Sequence, residues 1–367
     1  MKLFLFLGSI GGGGAQRMVC LLANAWAAEG HEVTVAHYDL ERDAFPFPQS
    51  EAVVLRRLPL SLPVKTRGQA IRRFVSDVGA LRKAIRHEAP DAVVAFLPQA
   101  NVLAVLACLG TGIPLVVTEL CHPAHDDIGR LWGRLRRLLY PLARRLVVQT
   151  RDIHDWFLTH NRQPSLIIPN PVPTPVIDWE PHHAAGRKTI LAAARLSYQK
   201  NLSLLARAFA RLADRHPDWD LDIYGLGEEK ELLEGIVRDN RLEGRLRLPG
   251  WTSEYTRRLT ECDLFVLCSR FEGMPMALAE AMACGVACIS TDCPSGPADL
   301  ITDGENGLLV PVEDLDALTG AMDRLMSDDA LRADMGRKAR RITDRLGLEH
   351  ITAAWSQCIA AAMDKKR

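Results

Sequence analysis

The chain has 367 residues, 48% hydrophobic and 25% charged, the balance of a folded globular protein of about two domains and not of a disordered one. Lys and Arg number 45, as do Asp and Glu, so the formal net charge is zero, which argues against a generally basic nucleic-acid binder. The charges are unevenly spread: residues 1–170 hold 20 basic against 14 acidic side chains and the remainder 25 against 31, so the two halves suit different partners.

The apolar run 3–7 is short, four glycines follow it, and no A-x-A site lies near Arg17, so it predicts a buried first strand and not a signal peptide. Residues 15–29 predict a helix stopped by Gly30, and EVTVAHYD, 32–39, a second strand. A helix over 70–88 stops near Pro90, and DAVVAFL, 91–97, is the third strand. A helix near 101–109, the strand PLVVTE at 114–119, a helix over 129–145 and the strand LVVQT at 146–150 complete the half. Residues 92–118 carry no charge and are long enough to span a bilayer, but Pro98, Gln99, Asn101, Gly110, Gly112 and Pro114 break them into strand, loop and helix. The alternation is that of a doubly wound α/β domain.

Residues 169–187 are proline-rich without periodicity and predict a linker. The pattern then restarts with KTILAAAR at 188–195, a helix over 202–216, and the strands DLDIYG, RLRLPG and DLFVLCS ending at 225, 250 and 269. A helix over 275–283, the strands VACIST and GLLVPV, and helical stretches at 313–326, 328–343 and 348–363 close the chain. The nine cysteines form no C-x-x-C pair and sit mostly in apolar runs, which favours a reducing compartment.

Three sets of residues carry chemistry. Glycines 11–14 follow the first strand, where backbone can approach a phosphate at a helix N-terminus. The G-x-G-x-x-G fingerprint fails, because Gln16 or Arg17 stands where its third glycine belongs. Asp39 ends the second strand where a ribose-binding acid would sit, so this feature alone leaves open a dinucleotide or a simple packing turn. Arg195 and Lys200 follow a strand and precede a helix, a placement that suits a diphosphate or, equally, two solvated charges. In SRFEGMPMALAEAMACG, 269–285, Glu272 lies in the loop after a strand and Glu280 in the next helix. If Pro275 starts that helix, the N–H groups near Met276 and Ala277 form a second anion site. Glu272 could then accept from sugar hydroxyls and Glu280 could hold a ribose; a surface Glu and a helix-face Glu are the plainer alternatives.

With the E-x7-E pair Glu272 and Glu280, the pair Arg195 and Lys200, and GGAQR at 13–17, the chain resembles the family-4 retaining glycosyltransferases of GT-B fold. FLPQAN at 96–101, IPNPV at 168–172 and CPSGPADLITDGENGLLVP at 293–311 extend the resemblance over nearly the whole chain, in order. It looks most like members that build bacterial surface polysaccharides, lipopolysaccharide and lipid-linked oligosaccharides. The resemblance implies an α/β fold of two Rossmann-like doubly wound domains facing across a cleft. These are an acceptor-side domain over 1–170, on which the helix 348–363 packs back, and a donor-binding domain over 171–347.

It further implies a retaining hexosyltransferase that uses a nucleotide sugar, UDP-linked in the first instance, and an acceptor glycan on a polyprenyl or other lipid carrier, with no cofactor and no metal. By the same resemblance Arg195 and Lys200 neutralise the donor diphosphate, Glu272 contacts sugar hydroxyls and Glu280 binds the ribose. Met276 and Ala277 meet sugar and phosphate through their backbone, Gly13 and Gly14 close over the phosphates, and Gly225 and Trp251 line the base pocket. The chain departs from the family in having Gln16 where Glu is frequent, and in placing His122 two residues beyond the position that follows the TE of strand PLVVTE. His122 is therefore the sugar-contacting candidate and His125 its rival.

Two Asp-x-Asp matches, at Asp218–Asp222 and Asp314–Asp316, open a strand and a helix and do not read as metal ligands. RLWGRLRRLLYPLARR, 130–145, is basic and amphipathic, with Leu131, Leu135, Leu138, Leu139 and Leu142 on one face. This predicts a helix packed through its leucines, or a contact with anionic lipid headgroups or a diphosphate-linked acceptor. The expected location is cytoplasmic, with peripheral attachment to the inner face of the plasma membrane as its extension. The competing readings are a GT-B epimerase or phosphorylase-like protein, an NAD-dependent oxidoreductase, and a nucleotide-sugar-binding protein without turnover.

Overall fold

The structure is a computed structural model, and it describes residues 1–11, 13–38, 45, 47–59, 66–173 and 186–364. Gly12, Asp39 and most of the predicted linker lie outside the described residues. The chain divides into two compact units, one of Met1–Pro171 with Leu348–Arg367 and one of Val172–Gly347.

The first unit runs β1 (Lys2–Phe6), α1 (Gly14–Ala28), β2 (Glu32–His37), β3 (Val53–Arg57), α2 (Arg67–Glu88), β4 (Ala92–Phe96) and α3 (Pro98–Cys108). It continues with β5 (Leu115–Glu119), α4 (Gly129–Leu139), β6 (Arg145–Val148), α5 (Arg151–Asn161) and β7 (Leu166–Ile167). Its strands form one parallel sheet in the order β3-β2-β1-β4-β5-β6-β7. Strands β1, β4 and β5 are buried on both faces because helices cover both sides, which is why their sequences are unbroken apolar runs. Helix α2 starts earlier than the periodicity predicts. Thr66 and Gln69 form a reciprocal cap, each side chain bonding the other's backbone N–H, and this satisfies the first turn. Strand β3, an edge strand with only one fully buried residue, has no apolar run long enough to announce it.

The second unit runs β8 (Lys188–Ala193), α6 (Leu202–Leu212), β9 (Trp219–Tyr224), α7 (Lys230–Asp239), β10 (Leu246–Gly250), α8 (Tyr255–Glu261) and β11 (Leu264–Leu267). Then come α9 (Met276–Ala283), β12 (Ala287–Thr291), α10 (Pro297–Leu300), β13 (Leu308–Val310), α11 (Leu315–Ser327), α12 (Asp329–Ala339) and α13 (Ile342–Leu346). The parallel sheet order is β10-β9-β8-β11-β12-β13. Both sheets are doubly wound, so both units are Rossmann-like and the fold class is α/β.

The last helix, α14 (Leu348–Met363), belongs to the first unit. It packs on α1, where Trp26 Nε1 donates to Ser356 Oγ at 3.0 Å, and Trp355 lies 6.2 Å from the Phe96 ring. None of the nine cysteines is in a disulfide and only Cys121 is not buried. Burial pushes the Cys20 and Cys358 thiols up to about 11 and that of Cys108 up to about 12, so they act as small apolar side chains. The predicted helix 129–145 ends instead at Leu139, because Pro141 has no N–H to continue the ladder and Tyr140–Leu142 tightens into a single 3₁₀ turn.

Trp355 is completely buried. Trp355→Ala should therefore destabilise the first unit by about 3–5 kcal/mol, seen as a lowered calorimetric unfolding transition while the second unit's transition stays in place.

Candidate active site

Parallel sheets of this kind bind ligands beyond the carboxyl ends of the strands, where the strand order reverses. In the second unit that point lies between β8 and β11, which are hydrogen-bonded neighbours. The loop leaving β8 carries Arg195 and Lys200. The Ala194 N–H bonds Tyr224 O at 3.0 Å, the Leu196 N–H bonds Leu226 O at 3.0 Å, and Leu196 O accepts from the Glu229 N–H at 3.0 Å. Arg195 between them is exposed and makes no hydrogen bond or ion pair among the described residues. A 3₁₀ turn over Tyr198–Lys200 then leads into α6.

The loop leaving β11 carries Glu272, and two further loops hold it. Its N–H bonds Pro294 O at 2.8 Å and its carbonyl accepts from the Ser295 N–H at 3.2 Å, joining it to the loop after β12. Toward the β8 loop, the Arg270 N–H bonds Gln199 O at 2.8 Å and Gln199 Nε2 bonds Phe271 O at 2.9 Å. The Arg270 guanidinium lies 3.9 Å from the Tyr198 ring centre, donates to Tyr198 O, and pairs through Nε with Glu313 Oε1 at 2.7 Å. These ties bring Lys200 Nζ to 2.5 Å from Glu272 Oε1, the oxygen that also accepts from Ser269 Oγ at 2.6 Å.

Glycines set how closely the loops approach. A Cβ on Gly225 would fall 1.8 Å from Ala194 O and one on Gly227 2.2 Å from Leu196 O, so both positions exclude any side chain. A Cβ on Gly296, where φ is +99°, would fall 2.5 Å from Gly273 O. Trp251 follows Gly250 at the end of β10 and is exposed, as is Leu226 at the end of β9. Helix α9 begins at Met276 with Pro275 as its N-cap and no side-chain cap bond; Ala277 lies in the first turn, where its carbonyl accepts from Tyr255 Oη at 3.1 Å, and Glu280 is buried in the next. The predicted residues Arg195, Lys200, Gly225, Trp251, Glu272, Met276, Ala277 and Glu280 thus all lie at the carboxyl end of one sheet.

In the first unit Gly13 and Gly14 open α1 at the carboxyl end of β1. Gly13 is extended, with φ at −171°, a conformation open to any residue, and no side chain caps this helix. Gln16 donates to Ser9 O at 3.3 Å and so closes the loop on itself. His122 follows β5 and is half-buried, with Nδ1 facing the Ala124 N–H at 3.2 Å and its ring 5.2 Å from that of His125. Burial, then the neighbouring His125, push its pKa down. His125 is exposed.

Beneath this loop lies a buried network with no sequence signal except that its members fall in predicted elements. Glu119, the last residue of β5, is fully buried; its Oε1 accepts from Tyr140 Oη at 2.6 Å and lies 3.7 Å from Arg136 Nη1. Asn101, within the FLPQAN segment, donates to Tyr140 Oη at 2.8 Å and to Thr118 O at 2.9 Å. Burial pushes the Glu119 carboxyl up to about 7, while Arg136 and Tyr140 pull the other way.

Arg136 overturns the predicted leucine face. It is 5% exposed and stacks on Trp156 at 5.0 Å, whereas Leu131, Leu138 and Leu142 are 67%, 70% and 56% exposed. The buried stripe of α4 is centred on Trp132, Leu135, Arg136 and Leu139, because the inward arginine finds a carboxylate and an aromatic face. The leucines share the outer face with Arg130, Arg134 and Arg137. The Asp-x-Asp carboxylates are engaged: Asp220 with Arg187, Arg245 and Arg247, Asp222 with Arg247, and Asp314 as the N-cap of α11. Among the described residues no helix is long and apolar enough to cross a membrane.

Two family models divide the chain between them: the glycosyl transferase 4-like domain matches residues 13–173 and the glycosyl transferases group 1 match residues 174–342. The chain is 28% identical over 316 residues to the exopolysaccharide phosphotransferase SCO2592 of Streptomyces coelicolor, covering 85% of this chain but only 33% of that protein. It is 29% identical over 350 residues to the Campylobacter jejuni N-acetylgalactosamine-N,N'-diacetylbacillosaminyl-diphospho-undecaprenol 4-alpha-N-acetylgalactosaminyltransferase, covering 92% of this chain and 94% of that one. Anabaena Alr3699/HepE in complex with UDP and glucose shares the fold, with a TM-score of 0.81 at 18% identity over 98% of this chain and 99% of that one.

The Glu119 carboxyl holds its proton in the folded state up to about 7 against an ordinary 4.5, so stability falls as pH rises through that window. Glu119→Gln should abolish this slope. Between about pH 5 and 7.5 the melting temperature of the variant should fall less than that of the wild type.

Proposed function

The chain belongs to family 4 of the glycosyltransferases, of GT-B fold, and from that premise we propose that it is a retaining transferase using a UDP-linked hexose or N-acetylhexosamine. The observation that carries the proposal is the pairing of Lys200 with Glu272, with the exposed Arg195 on the same loop as Lys200, where the strand order of the second sheet reverses. In the proposed reaction the bond from the anomeric carbon to the leaving diphosphate oxygen breaks as the acceptor hydroxyl oxygen bonds that carbon on the same face. The hydroxyl proton passes to the departing diphosphate, so no protein base is required. Arg195, Lys200 and the uncapped first turn of α9 at Met276 and Ala277 stabilise the charge growing on the leaving group, and no metal is invoked. Glu272 orients the sugar, Glu280 the ribose, and Gly225 and Trp251 flank the base. For Gly13, Gly14 and His122 of the first unit, the proposed roles toward the phosphates and the sugar rest on the family resemblance alone. The UDP bound by Alr3699/HepE supports the choice of base.

The acceptor is proposed to be a glycan on a diphosphate-linked lipid in polysaccharide or lipopolysaccharide synthesis, the substrate class named for the Campylobacter jejuni relative. The outer face of α4, leucines among arginines, supports a cytoplasmic protein resting peripherally on an anionic inner membrane leaflet. Phe74 of α2 packs on Trp132 of α4 at 6.0 Å between ring centres, and Ile71 and Val75 of α2 are exposed. The oxidoreductase alternative is not retained, since the family matched is one of transferases.

Purified protein given radiolabelled UDP-hexoses and UDP-N-acetylhexosamines with an undecaprenyl-diphosphate-linked glycan should form a product whose NMR spectrum keeps the donor's anomeric configuration; inversion would exclude the mechanism. Arg195→Ala and Lys200→Ala should each lower turnover by about 100-fold or more with unchanged folding, and wild-type rates in both would remove the diphosphate assignment. Replacing Leu131, Leu138 and Leu142 together by Ser should reduce co-flotation with vesicles rich in phosphatidylglycerol, while turnover on a detergent-solubilised acceptor persists.

A further inference from the structure

The two halves of the Lys200–Glu272 pair are not equally free to move. Glu272 is 7% exposed at its side chain, its backbone is bonded on both sides to Pro294 and Ser295, and the buried Ser269 hydroxyl donates to its carboxylate. Lys200 sits on a 3₁₀ turn and reaches the carboxylate through a four-carbon stem with its side chain 20% exposed. The carboxylate is the fixed partner and the ammonium the one that can turn away. Arg195 on the same loop has no such carboxylate and is ready for an anion as it stands.

We propose that Glu272 competes with the donor diphosphate for Lys200, a reading that rests on the donor site of the preceding section. A diphosphate offers more charge and more acceptor oxygens than one carboxylate, so it draws the ammonium off Glu272. Glu272 keeps the Ser269 hydroxyl but loses its strongest donor, and its oxygens become acceptors for sugar hydroxyls. Diphosphate capture and sugar recognition are thereby coupled through one exchange of partners. When the bond to the sugar has broken and the glycan has left, no sugar hydroxyl satisfies Glu272, so the carboxylate again competes for Lys200 and the nucleoside diphosphate is held less tightly than it would be without Glu272. The pair so works as a release device, weakening product binding at the stage where no sugar competes for Glu272.

The alternative physical role, in which Glu272 holds Lys200 in position for the phosphates, predicts the opposite sign. Isothermal titration of the intact chain with UDP, and with GDP in parallel, separates them. Competition predicts that Glu272→Gln binds the preferred nucleotide roughly two- to fivefold tighter than wild type, the range expected for a partly exposed ion pair. Lys200→Ala should bind it more weakly, and in the Lys200→Ala background Glu272→Gln should change affinity less than twofold. Unchanged or weaker binding by Glu272→Gln, or tightening that persists without Lys200, overturns the competition while leaving the donor site standing. Absence of binding by the wild type, or wild-type binding by Lys200→Ala, overturns the donor site itself. Gln can still accept from Ser269, and thermal melts verify each fold. If Glu272→Gln is misfolded, Glu272→Asp, which withdraws the carboxylate by one methylene, should show the same tightening, and its failure to do so counts equally against competition.

Discussion

An ammonium and a carboxylate seventy-two residues apart in sequence can meet at 2.5 Å only because β8 and β11 are hydrogen-bonded neighbours in the sheet. The chain leaves β8 toward one edge, builds β9 and β10, and returns to place β11 on the opposite side of β8. The loops after β8 and β11 therefore start side by side at the reversal of strand order, the place where sheets of this kind bind ligands. The proposed diphosphate site needs that position together with cations fixed beside it. The parallel sheet supplies the first by topology, and the loop sequences supply the second.

Holding those loops against one another is costly in backbone freedom, and the chain meets the cost with small residues and crossed hydrogen bonds. Gly225 and Gly227 let the 194–197 segment pass within reach of the next loop, and Gly296 lets the β12 loop lie on Gly273. Arg270 then spans three loops at once through Gln199, Tyr198 and Glu313. Ordering a flexible loop costs roughly 1–2 kcal/mol per residue, so a site that must be formed before its ligand arrives needs ties of this number and not one.

Much of this was legible in the sequence. Continuous apolar strands separated by helical periodicity specify the doubly wound sheets, since only strands covered on both faces have that pattern. The placement of Arg195, Lys200 and Glu272 in loops after strands, and of Glu280 in the helix that follows, was legible too, although each could equally be read there as an ordinary surface or helix-face charge. What was not legible depends on partners distant in sequence. Nothing in SRFEG shows that Ser269 donates to Glu272, or that Arg270 stacks on Tyr198 from another strand's loop. The inward turn of Arg136 is hidden for the same reason. A helical wheel places leucines inside by default, and only the coincidence of Glu119, Tyr140 and Trp156 makes a guanidinium the better interior residue.

The two carboxylates at the carboxyl ends of the sheets show how burial decides what an ion pair can do. Glu119 has no access to solvent, and its partners Arg136 and Tyr140 are themselves enclosed by Trp156, Phe157 and Asn101. Separating Glu119 from Arg136 would leave the Arg136 guanidinium unpaired in a medium of low dielectric, whether or not Glu119 holds its proton, so they stay together and the interaction serves to fix α4 and the end of β5. Glu272 is nearly as buried, but Lys200 approaches it from the solvent side. Withdrawing Lys200 leaves the carboxylate with the Ser269 hydroxyl, and any incoming polyol can supply the rest. The same chemical pairing is thus a structural tie where both ends are enclosed, and an exchangeable contact where one end is free to reach a ligand.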